Sequence, residues 1–122
     1  AKVMHKFLYL CSARKNLVPI LADASEPYSY KKELEGVKTD VLFQDISQKN
    51  QVEIFLKNAR IYLKKKGTGL LTLKARSISS TENPKKIFEK EMKKLEFEFS
   101  VKQVVDLSPF QKDHTFIYCE RK

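Results

Sequence analysis

The chain has 122 residues, with 24 Lys+Arg against 15 Asp+Glu for a net charge of +9, and 42% of its residues are hydrophobic. That length suits one domain with a single core, and apolar residues this plentiful exclude disorder. No run approaches the ~18 consecutive apolar residues of a membrane span, and Ala1-Lys2-Val3-Met4-His5-Lys6 lacks the apolar stretch of a signal peptide. Taken in chain order, Val3, Phe7, Leu10 and Cys11 recur at helical spacing across residues 2–16. Leu17 to Ala22 is a short apolar run that reads as a strand, with Pro19 limiting its hydrogen bonding on one side. A polar stretch follows, with a short helix expected near 28–34, and then a strand over 39–44. Val52, Phe55, Leu56, Ala59, Tyr62 and Leu63 form an amphipathic helix that Gly67 and Gly69 should close, with Lys64-Lys65-Lys66 in its last turn.

Residues 68–75, containing Leu70-Leu71-Thr72-Leu73, are the next strand. Asn83-Pro84 reads as a cap and a first-turn proline, opening a helix that should bury Phe88, Met92, Leu95 and Phe99. Strands over 100–107 and 114–120 close the chain, and the short loop between them makes them antiparallel neighbours. Such alternation of helix and strand places the chain in the α/β class, with a mostly parallel sheet and a C-terminal antiparallel strand. It also gathers the ends of the parallel strands on one sheet edge, where ligands bind in open α/β sheets.

The polar residues expected on that edge define a candidate site. Asp23 follows the 17–22 run, Asp45 ends the 39–44 strand with Gln48 close behind, and Lys74 stands at the exit of 68–75 before Arg76, Ser77 and Ser79. Asp113-His114 opens the antiparallel strand on the same edge. Each residue has an ordinary explanation as a cap, an edge charge or a structural histidine, so only their convergence counts as evidence. Cys11 and Cys119, far apart and outside any C-x-x-C spacing, point to no disulfide framework and no zinc site, and so to a reducing intracellular compartment. With three glycines in all, the chain has no Gly-rich phosphate loop. Lysine beside aspartate suits the activation of a hydroxyl better than hydrolysis. The excess of lysine fits either solvated helical faces or a phosphate-rich partner.

Five segments carry a resemblance to a known family. They are Arg14-Lys15-Asn16-Leu17-Val18-Pro19-Ile20, Ala22-Asp23-Ala24, Val41-Leu42-Phe43-Gln44-Asp45-Ile46-Ser47-Gln48, Leu73-Lys74-Ala75-Arg76-Ser77-Ile78 and Leu107-Ser108-Pro109-Phe110-Gln111-Lys112-Asp113-His114. Together with their spacing they resemble fibrillarin over nearly the whole chain. That resemblance implies a Rossmann-like class I methyltransferase sheet and an S-adenosylmethionine-dependent RNA 2′-O-methyltransferase of box C/D ribonucleoproteins, acting on rRNA and tRNA. It implies Asp45, Lys74 and His114 as the catalytic set, with Lys74 polarising the ribose 2′-hydroxyl. Asp23, Ala24, Asp45 and Gln48 are implied cofactor contacts, and no metal is. Arg76 and Lys64, Lys65 and Lys66 become candidate RNA contacts. The implied partners are guide and target RNA and a Nop-domain scaffold protein, in the cytoplasm of an archaeon or the nucleolus of a eukaryote.

The family's Gly-rich turn and the acidic residue that binds the cofactor ribose have no counterpart in this sequence. The chain is therefore expected to correspond to the C-terminal two-thirds of the methyltransferase domain, a single partial domain truncated at its N-terminal side. Cofactor binding would then require the missing segment, which a complementary N-terminal chain could supply. Two alternatives stay open: a non-catalytic module binding RNA or the scaffold protein, its sheet closed by pairing of 17–22 with 39–44, and self-association through exposed sheet edges.

Overall fold

A computed structural model describes residues 2–122. The chain divides into two compact units, Ala1–Glu35 and Gly36–Lys122. In the first, helix α1 (Lys2–Ala13) is followed by an irregular stretch, a 3-10 turn over Pro27–Tyr30 and a one-turn helix α2 (Lys31–Leu34). The helix expected near 28–34 is thus present. The strand expected over 17–22 is not. Its apolar side chains face solvent, Val18 at 73% and Leu21 at 87% exposure, and Pro19 offers no N–H to a ladder. An apolar run becomes a strand only where a neighbouring strand satisfies its backbone, and among the described residues none pairs with it.

The second unit is built on a four-stranded sheet, in the order β1-β2-β4-β3. The strands are β1 (Thr39–Gln44), β2 (Leu63–Lys74), β3 (Phe99–Asp106) and β4 (His114–Arg121). β1 pairs with β2 in parallel, while β4 lies antiparallel to both β2 and β3. Three strands therefore run one way and the C-terminal one runs the other, as expected for this α/β class. β1 pairs with β2 alone among the described residues, so the closure of the sheet by 17–22 against 39–44 is corrected.

Helix α3 (Gln51–Tyr62) links the two parallel strands, a one-turn helix α4 (Ala75–Ile78) follows β2, and α5 (Pro84–Glu96) leads to β3. The core lies between α3, α5 and one face of the sheet. Val52, Phe55, Leu56 and Ala59 supply the face of α3, and Leu71, Leu73, Ile117 and Cys119 the face of the sheet. Phe55 and Phe99 meet at 5.2 Å between ring centroids. Gly69 sits beneath them: a Cβ there would come within 2.7 Å of the Phe55 ring and 2.8 Å of Cys119 Sγ. This glycine is a packing requirement and not the helix terminator that its position suggests.

The Asn83 side chain caps α5 as expected, accepting from the Lys85 N–H at 2.9 Å. The buried residues of α5 are Ile87, Glu91 and Leu95, with Phe88 and Met92 only partly buried and Phe99 already in β3. The end of α3 also differs from expectation. It stops at Tyr62, and β2 begins at Leu63 without an intervening loop. Lys64-Lys65-Lys66 is therefore not a helix terminus but an outward bulge of β2, between the pairs Thr39–Leu63 and Val41–Thr68. Lys66 turns the chain with φ +67, and at Gly67 a Cβ would meet Leu63 Cδ1 and the Lys64 carbonyl at 2.7 Å. No helix of the described residues is long and apolar enough to cross a membrane.

Candidate functional site

The exits of β1, β2 and β3 and the entry of β4 share one edge of the sheet in the second unit. Lys74 ends β2 and stands in register with His114, the first residue of β4. Lys74 Nζ is 2.7 Å from Asp45 Oδ1, just past β1, and donates to Ser47 Oγ at 3.1 Å. Its side chain is 16% exposed while that of Asp45 is 49% exposed, so the ammonium is sheltered and the carboxylate opens to solvent. Asp45 just past β1, Lys74 at the end of β2 and His114 at the start of β4 thus lie on one sheet edge, as the sequence suggested.

Their positions are set from below by a residue that the sequence reading did not single out. Gln51, the first residue of α3, is fully buried. Its Oε1 accepts from the Lys74 N–H at 2.9 Å, and its Nε2 donates to the Lys74 carbonyl at 3.1 Å. This two-bond clamp completes the edge of β2 as a further strand would, and it fixes the backbone that carries the ammonium. Gln44, at the end of β1, donates from Nε2 to the Gln51 carbonyl at 2.8 Å. Two buried amides therefore tie both strand exits to the start of one helix. A glutamine at a helix start is unremarkable in sequence, and its partner lies 23 residues away. Ser47, in the 41–48 segment, carries no role that its sequence position reveals; its hydroxyl accepts from Lys74 only in the fold.

On the other side of Lys74 the chain is riveted to the loop before β4. The Ala75 N–H donates to the Asp113 carbonyl at 3.0 Å, and Asp113 holds φ +57. Arg76 Nε donates to Asp113 Oδ2 at 3.2 Å, and its NH1 donates to the carbonyls of Ser80 and Glu82 at 3.1 Å each. The Arg76 guanidinium is thus engaged within the protein, organising the loops around the site. Lys64, Lys65 and Lys66 are not brought to this edge. They lie in the bulge toward the opposite end of β2, beyond Thr68, which is itself about 20 Å along the strand from Lys74, and Lys64 pairs with Asp40 at 2.9 Å. Gln48 lies between Ser47 and the start of α3.

Asp23 and Ala24 belong to the first unit. Asp23 Oδ1 accepts from both the hydroxyl and the N–H of Ser25, at 2.7 and 2.9 Å. These bonds, the hydroxyl foremost, hold its carboxyl below the usual range, so it is ionised at neutral pH. Among the described residues no group of three or more His, Cys, Asp or Glu could hold a metal. Burial pushes the Cys119 thiol up to about 12, which keeps it protonated and unreactive in the core.

Comparison with known proteins shows the family. A sequence model of the family Fibrillarin matches residues 1–122. A fibrillarin-like rRNA/tRNA 2′-O-methyltransferase of Methanococcus voltae is 45% identical over 114 residues, covering 93% of this chain and 49% of the relative. The chain superimposes on fibrillarin in a crystal structure of a fibrillarin/Nop5p complex with a TM-score of 0.92 at 40% identity, over 99% of this chain and 57% of that one. Against Aeropyrum pernix fibrillarin, in complex with natively bound S-adenosyl-L-methionine, the TM-score is 0.81 at 37% identity, over 97% of this chain and 51% of that one. The chain spans about half the length of the curated relatives it matches. It belongs to the fibrillarin family.

Proposed function

We propose that this member of the fibrillarin family carries the groups that act on the ribose in a guide-directed RNA 2′-O-methyltransferase. The reading rests on one observation above the others: the Lys74–Asp45 pair, clamped at a strand exit in register with His114. A ribose 2′-hydroxyl is a weak nucleophile whose oxygen must be aimed and whose proton must leave as the new bond forms. Lys74 supplies a sheltered ammonium that donates to that oxygen and steadies developing negative charge, and Asp45 and Ser47 hold it in direction. His114 brings an imidazole able to accept a proton beside it.

S-adenosylmethionine, when bound, supplies an electrophilic methyl on a sulfonium centre. The donor set suits such a group. Asp45 offers a half-exposed carboxylate at the strand exit for its positively charged end, with Gln48 nearby in sequence. The remaining cofactor-binding groups belong to the rest of a whole methyltransferase of this family.

The fibrillarin/Nop5p complex supports a Nop-domain scaffold protein as partner; guide and target RNA are part of the proposal, resting on the family resemblance and on relatives named rRNA/tRNA 2′-O-methyltransferases. The test is methyl transfer from radiolabelled S-adenosylmethionine to a target RNA in particles assembled with guide RNA and scaffold protein. Lys74→Ala is expected to abolish transfer while the particle still assembles. Transfer at the unaltered rate in that variant would refute the catalytic reading.

A further inference from the structure

We propose that Phe110 is a stacking platform for a base of the substrate RNA, placed beside the reactive edge by the loop before β4. The inference rests on the RNA-directed reading above and adds a positioning residue to it. Phe110 is 90% exposed, and the stretch Ser108 to Lys112 around it is exposed throughout.

The loop that carries this ring is anchored along its length. Ser108 N–H donates to Asp106 Oδ1 at 2.9 Å, and Gln111 N–H donates to the Leu107 carbonyl at 2.9 Å. Leu107 N–H donates to the His114 carbonyl at 3.0 Å, and Asp113 is bound to Ala75 and Arg76 as described. An exposed ring on a tethered loop is held in place before its ligand arrives, which reduces the ordering cost of binding. Phe110 and Asp113 are three positions apart, so the Phe110 Cα lies within about 11 Å of the residue that is riveted next to Lys74. A nucleotide whose ribose reaches Lys74 thus has its own base, or a neighbouring one, within range of the ring.

The surroundings favour a base over a protein side chain as the occupant. Anchors for protein partners sit within well-packed apolar patches. Phe110 instead has Pro109 as its one exposed apolar sequence neighbour within 108–112, with the polar Ser108, Gln111 and Lys112 beside it. The ring is a π-face for a base, and the loop adds an amide for its edge and a cation for the phosphate. Such a platform contacts any base, which suits a reaction whose target is chosen by a guide strand.

The chain contains no tryptophan, so Phe110→Trp creates a single fluorescent reporter at the loop tip. Single-stranded RNA of about a dozen nucleotides, added at low salt to the whole chain, is expected to quench its emission. An abasic ribose-phosphate strand of equal length is expected to bind without quenching. Phe110→Ala should weaken binding of the base-bearing strand ~10-fold and leave that of the abasic strand unchanged. Equal quenching by both strands, or base-bearing RNA bound (by anisotropy) without quenching, would overturn the stacking role and leave the methyltransferase reading standing. A blue shift on adding scaffold protein, with no response to RNA, would assign the loop to a protein partner and overturn it as well. Normal quenching with no methyl transfer in assembled particles would instead count against the catalytic reading alone.

Discussion

Lys74 and Lys94 both sit at hydrogen-bond distance from carboxylates in the same unit, yet their settings differ in kind. Lys74 meets one carboxylate and one hydroxyl at a strand exit, with its backbone clamped from below by Gln51 and the far side of Asp45 open. Lys94, on α5, bridges two carboxylates in the helical layer, Glu53 of α3 at 2.7 Å and Glu91 at 3.1 Å. One ammonium cannot satisfy four oxygens, and Glu53 Oε2 and Glu91 Oε2 are buried without a partner. Burial works to raise the Glu53 carboxyl, but the hydrogen bond from Lys94, a backbone bond and the charge of Lys94 together hold it below its ordinary value. The Lys94 ammonium is pushed up, chiefly by its bond to Glu53. The same pair of functional groups is therefore a structural neutraliser when wedged between helices, and is left open to a ligand when presented at a rim.

The contrast is tested most strongly at Lys74. Lys74→Ala should lower methyl transfer by about 10²–10⁴-fold, and its thermal midpoint should stay near that of the unaltered chain; a large loss of stability would mean that both lysines are structural. Gln51→Ala should strike both properties, because it removes the clamp that joins the rim to the helical layer. About 2 kcal/mol of stability should be lost in urea melts as two buried backbone groups go unpaired, together with roughly tenfold in transfer rate from misplacement of the ammonium. Lys94→Ala should cost about 1–2 kcal/mol, between the values for exposed and buried pairs because its side chain is 39% exposed. Its transfer rate per folded molecule should not change. Glu91→Gln, which leaves one carboxylate facing one ammonium, should change stability by less than about 1 kcal/mol.

Acid separates the two settings further. The folded Glu53 carboxyl lies below the ordinary glutamate value of 4.5, so its pair contributes fully above that pH, where folded and unfolded chains both carry the charge. Below 4.5 the unfolded chain takes up the proton first, and the contribution is lost as pH falls through the lower folded value. Glu98, held down by its hydrogen bond from Arg60, follows the same rule. Denaturant melts from pH 6 to pH 3, about the range of carboxylate titration, should therefore show falling stability. That fall should be shallower in Lys94→Ala, which keeps the shares of Glu98 and Asp23 but loses that of Glu53.

Elements with a neighbour to pack against were legible in the sequence. β1 spans Thr39–Gln44 as expected, and Asn83-Pro84 opens α5 where the cap rule puts it. The 17–22 run misled because apolar composition does not reveal whether a partner strand exists. Gly67 and Gly69 misled because a glycine needed for close packing looks the same in sequence as one that ends a helix. At the site, Asp45, Lys74 and His114 were legible because strand order alone carries them to one edge. Gln51 was not, since its meaning lies in two bonds to a distant backbone.

The place of β4 in the middle of the sheet has a kinetic consequence. β3 pairs with β4 and with no other described strand, and the rungs between β2 and β4 reach as far as Thr68 to Glu120. A nascent chain extended only to Asp106 therefore has a β3 with nothing to pair with and a β2 with one bare edge. Sheet closure must wait for residues 114–121 to insert between strands made earlier, a non-local step that sets a slow clock for folding. Because that insertion brings His114 alongside Lys74, the candidate edge forms only after β4 has emerged from the ribosome.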